Sequence, residues 1–65
     1  MIQVHTENRI SVLTLNRPEK RNALNDEMAA SILAQLQVLK DDDTCKVLVI
    51  KANGEAFCTG ADLGY

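Results

Sequence analysis

Lys46-Val47-Leu48-Val49-Ile50-Lys51 is a continuous apolar run closed by a lysine at each end. A run this short and this rich in β-branched residues reads as a strand. With apolar side chains pointing both ways, it is expected to be buried and not to alternate between core and water. Such a strand demands neighbours beside it and cover above and below. That need restricts the chain to a layered architecture.

What precedes the run defines the layers. Asn25 is a good helix N-cap, and the acidic Asp26 and Glu27 behind it suit the positive end of a helix dipole. Met28, Ile32, Leu36 and Leu39 then recur at helical spacing, with Ala29 and Leu33 widening the stripe, until Lys40 to Asp43 end the pattern with charge. Further upstream, Ile2 to Glu7 and Ile10 to Leu15 form two β-type runs broken at Asn8-Arg9, which predicts a hairpin. In the second run Ile10, Val12 and Thr14 face one way and Ser11, Leu13 and Leu15 the other, so cover on both faces is expected.

Pro18 excludes a central strand from the polar stretch at residues 16–22, which is therefore a loop, and Asn53-Gly54 marks a turn after the apolar run. The order is hairpin, loop, helix, strand, glycine-containing loop. A helix linking two strands makes the later strand parallel to its predecessor, the beginning of an α/β fold. The apolar faces outrun what 65 residues can cover, so the chain is expected to be a piece of a larger domain.

Composition narrows the function. Seven basic against nine acidic residues leave a formal charge of −2, which argues against nucleic acid as a partner. Cys45 and Cys58 are too few for a disulfide framework, and no Cys/His set has the spacing of metal ligands. No stretch has signal-peptide or membrane-span character, so a cytoplasmic protein without membrane attachment is expected.

Two segments carry a resemblance. Leu15-Asn16-Arg17-Pro18-Glu19-Lys20-Arg21-Asn22-Ala23-Leu24-Asn25 is similar to the loop after the N-terminal hairpin of enoyl-CoA hydratase/isomerase (crotonase) family enzymes. Ala56-Phe57-Cys58-Thr59-Gly60-Ala61-Asp62-Leu63 resembles that family's segment after the strand that succeeds the first helix. In this order, with a helix and an apolar strand between them, the two cover essentially the whole chain. The resemblance implies the ClpP/crotonase fold of stacked β-β-α turns, with residues 1–65 forming the N-terminal part of a single domain.

It also implies a coenzyme A thioester as substrate, no further cofactor, and a homo-oligomer, either a trimer or a dimer of trimers. In that family an enolate oxygen is held by two backbone N–H groups, and the first donor follows the motif's glycine, which here makes it Ala61. A donor already aimed at developing charge commonly lowers a barrier by about 3 kcal/mol. The resemblance assigns substrate contacts to Arg21, Ala23 and Leu24 and to Thr59, Gly60, Ala61, Asp62 and Leu63. Arg17, Lys20 and Arg21 are the dense basic cluster of an otherwise acidic chain and suit the phosphates of coenzyme A.

Plainer readings stand beside these. A basic loop is ordinarily solvated, and Thr59-Gly60-Ala61 can serve simply as a strand-to-helix turn. Asp62 suits a helix N-cap better than a catalytic base. His5 lacks a partner at triad or metal spacing, and Cys58 reads as a small packed side chain, not a nucleophile. In the family's hydratases, glutamates from later in the chain move the protons. Hydration or isomerisation of an enoyl-CoA is therefore the leading expectation, with hydrolase, decarboxylase and dehalogenase chemistry open. A noncatalytic CoA-binding or assembly module, or an inactive piece, is the alternative.

Overall fold

In the computed structural model, residues 1–62 are described. β1 (Ile2–Glu7) and β2 (Ile10–Leu15) pair antiparallel, from Ile2 opposite Leu15 to Glu7 opposite Ile10. The two-residue connection has φ of 54° at Asn8 and 67° at Arg9, the paired left-handed conformation that matches the twist of a tight hairpin. α1 (Asp26–Lys40) then carries the chain to β3 (Val47–Ala52), which runs parallel to β2, with Ile10 opposite Val47 and Leu15 opposite Ala52. The strand order β1-β2-β3 makes β2 central. The Arg9 carbonyl accepts from Lys46 N–H at 2.8 Å, so the hairpin turn also seats the start of β3.

The helix begins where its chemistry allows. The Asn25 side chain accepts from Met28 N–H at 2.8 Å, with Asp26 and Glu27 in the first turn and Lys40 in the last. In the turn that leaves it, Asp42 accepts from the Thr44 hydroxyl and from Thr44 N–H, and these bonds hold its carboxyl below the ordinary carboxylate range. No helix among the described residues is long and apolar enough to cross a membrane.

Paired residues share a face of the sheet, so Ile2, Val4, Ser11, Leu13, Leu15, Leu48 and Ala52 all look toward one side. There Leu13, Leu15 and Met28 form the buried core, with Leu24, Ile32 and Cys58 packed against it. Ser11, also buried, bonds Thr6 Oγ1 at 2.8 Å, which satisfies its hydroxyl inside that face.

One expectation from the apolar pattern is corrected. The run at residues 46–51 is not buried: Val47 is 51%, Val49 42% and Ile50 47% exposed, because β3 is the outer strand of the sheet. Cover on the second face of β2 is present in part: Ile10 at its start is 42% exposed, whereas Val12 is half-buried and Thr14 is buried at 6%. The helix stripe is seated at Met28, which is buried, and at Ile32, which packs against the core, while Leu33 and Leu36 look outward. The pattern records cover that these 62 described residues do not themselves supply.

Candidate active site

The two loops that follow β2 and β3 meet. After β2 the chain makes a short 3-10 turn, Pro18–Lys20, and then two successive left-handed residues, Arg21 at φ 53° and Asn22 at φ 58°. Left-handed asparagine is common and left-handed arginine is not, so this reversal is held from outside. The holding group is Asn22 itself, which is completely buried. Its Oδ1 accepts from Arg17 N–H at 2.7 Å, and its Nδ2 donates to the carbonyls of Asn53 at 2.8 Å and Ala56 at 2.9 Å.

One side chain thus closes its own loop and ties it to the next. Asn53 adds bonds to Leu15 O and Asn16 Oδ1. Gly54, at φ 93°, lies under Pro18; a Cβ there would stand 2.8 Å from the proline Cβ, so the approach of the loops admits no side chain at that point.

Further along, Leu24 and Ala61 form an isolated parallel bridge. Leu24 N–H donates to Gly60 O at 2.9 Å, and Leu24 O accepts from Asp62 N–H at 2.8 Å. Gly60 N–H approaches Cys58 Sγ at 3.4 Å. A parallel bridge uses the groups flanking the bridged residue and turns that residue's own amide to the other side. Among the described residues, no hydrogen bond uses the Ala61 N–H, although the amides before and after it are both engaged. Gly60 at φ 104° provides the backbone that turns this amide outward, and both residues are exposed.

The basic cluster divides. Lys20 and Arg21 are exposed, whereas Arg17 turns inward and donates through Nη1 to Ala23 O at 2.8 Å and to Asp62 Oδ2 at 2.9 Å. The Arg17 and Asp62 side chains are only 15% and 23% exposed. Ala23 and Leu24 are half-buried, their carbonyls occupied by Arg17 and by the bridge, while Thr59 lies exposed beside Gly60. Leu63 lies outside the described residues, as do the positions that would show whether Asp62 caps a helix. His5 is exposed near Glu7, and Cys58 packs against the core. Sequence reasoning passed over Asn22, for which the one signal is an asparagine in a loop.

The fold and site define an α/β protein of the stacked β-β-α class in which two loops are laced together beside the Ala61 amide. The family profile described as enoyl-CoA hydratase/isomerase matches residues 10–65, and the chain belongs to that family, the crotonase family. It is 44% identical over 59 residues to 1,2-epoxyphenylacetyl-CoA isomerase of Escherichia coli K12, covering 91% of this chain and 22% of that protein. It is 40% identical over 58 residues to the small ribosomal subunit protein mS47 of Schizosaccharomyces pombe, covering 89% of this chain and 14% of that protein. Among solved structures, enoyl-CoA hydratase of Mycobacterium tuberculosis H37Rv superposes with a TM-score of 0.92 at 35% identity, over 95% of this chain and 28% of that one. The chain therefore spans about a quarter of the length of such relatives.

Proposed function

We propose that the full-length protein binds a coenzyme A thioester and stabilises its enolate, adding water to a 2-enoyl-CoA or moving its double bond. The observation that carries this reading is the Ala61 N–H, unused among the described residues and held between two anchored amides. A donor fixed before the ligand arrives reorganises little as charge develops on the thioester oxygen. Both reactions move only protons and water, so they need no cofactor beyond the thioester substrate. The name of the enoyl-CoA hydratase relative supports the same chemistry, and that of the epoxyphenylacetyl-CoA isomerase supports a coenzyme A thioester as substrate. The test gives purified full-length protein a 2-enoyl-CoA and follows loss of the conjugated thioester's absorbance, with mass analysis of the product. A hydroxyacyl-CoA or a shifted double bond is expected.

The ribosomal relative favours one other reading, a family member that serves as an assembly module. Binding of the thioester without any change to it, or no binding by a folded protein, would favour that reading over the enzymatic one.

Within the enzymatic reading, Lys20 and Arg21 are the cations free to meet coenzyme A phosphates, while Arg17 is engaged internally. The double variant Lys20→Gln/Arg21→Asn, which keeps a residue tolerant of the left-handed backbone at position 21, should raise the acyl-CoA Kd by about tenfold at low salt. The difference should shrink at high ionic strength, as expected of exposed charges. An unchanged Kd in titration calorimetry at low salt would remove these two residues from the phosphate site.

A further inference from the structure

We propose that Arg17 is a positioning residue for the Ala61 amide, acting through Asp62; its catalytic consequence rests on the enolate reading above. Arg17 leaves β2's end and reaches across to a residue 45 positions later, bonding Asp62 Oδ2 and Ala23 O from a single nitrogen. Both acceptors belong to the segments that the Leu24–Ala61 bridge joins. The bridge fixes the backbone on either side of Ala61, and Arg17 fixes the side chain of the residue after it. Together these contacts set the height and tilt of the outward amide.

Arg17 has a second effect at the same place. The carboxylate of Asp62 belongs to the residue next to the donor, where an uncompensated negative charge would oppose charge developing on an enolate oxygen. The guanidinium at 2.9 Å compensates it. The pair is largely buried, and the cost of desolvating both charges offsets much of their attraction, so its inward geometry is better accounted for by what it holds in place than by a gain in global stability.

The test compares Arg17→Met and Arg17→Lys with wild type in the full-length protein, by steady-state kinetics on an enoyl-CoA and by amide hydrogen exchange at Asp62. Loosening a reacting geometry by a fraction of an ångström to an ångström is expected to lower kcat by roughly 10- to 100-fold, with KM little changed. Exchange of the Asp62 N–H, which is bonded to Leu24 O, should quicken by about tenfold in Arg17→Met. Arg17→Lys should recover most of both, since an ammonium can donate to the same two acceptors. If wild type turns over nothing, the enolate reading fails, yet faster exchange in Arg17→Met would still assign Arg17 to holding the amide. Unchanged exchange would overturn the proposal, as would a rise in KM alone, which would make Arg17 a phosphate ligand instead.

Discussion

Exchanging the amide between Gly60 and Ala61 for an ester should lower kcat of the full-length enzyme by roughly 10²–10³ while leaving its thermal unfolding midpoint almost unmoved. The asymmetry follows from the bonding. Among the described residues the Ala61 N–H bonds to nothing, so deleting it removes no contact of the folded chain, yet it removes the donor proposed for the enolate oxygen. The ester keeps the methyl group, and the Gly60 carbonyl remains as a somewhat weaker acceptor for Leu24 N–H. Ala61→Gly, which retains the N–H, is the control and should stay within a few-fold of wild type. Ala61→Pro offers a genetic version, since proline removes the donor, although it also fixes φ near roughly −65°. Native turnover by the folded ester enzyme would exclude Ala61 from the oxyanion hole.

Asn22→Ala should behave in the opposite way, unfolding the protein before it touches the chemistry. The substitution strands Arg17 N–H and the carbonyls of Asn53 and Ala56, at a site with no exposure to water. Each buried group left unpaired costs about 1–3 kcal/mol, and alanine is worse than asparagine at a left-handed position. A loss of about 3–5 kcal/mol is therefore expected, a large part of the roughly 5–15 kcal/mol that keeps a typical domain folded. Urea unfolding at fixed protein concentration measures it. Asn22→Gly separates the two causes, because glycine relieves the backbone strain and leaves the hydrogen bonds missing; it should recover only about 1 kcal/mol. An Asn22→Ala protein within about 1 kcal/mol of wild type would show that the two loops hold together by other means.

The contrast between these residues explains what could be read from the sequence. The hairpin at Asn8-Arg9, the cap at Asn25 and the parallel strand after the helix were legible because each depends on local spacing and on a few backbone rules. The donor role proposed for Ala61 came only through resemblance, since a backbone donor leaves no side-chain signature. Asn22 and the Arg17–Asp62 pair were not legible at all. Their partners lie 31, 34 and 45 positions away, and nothing in a loop's composition announces which distant carbonyl or carboxylate it will meet. The apolar pattern misled in one respect: it specified burial for β3, a property of the layers around that strand as much as of the strand itself.

The outward side of β3 has a consequence for the solution behaviour of these residues in isolation. Among the described residues nothing pairs with that side, so its backbone donors and acceptors form an open template for another extended chain, flanked by the half-exposed side chains of Val47, Val49 and Ile50. Short stretches of this composition are the ones that seed cross-β stacking. Lys46 and Lys51, at the two ends, are the charges that oppose it, since every added strand in register would bring like lysines within about 5 Å of one another. Those two lysines are therefore placed to oppose aggregation, a task separate from the ligand binding and chemistry proposed for the two loops.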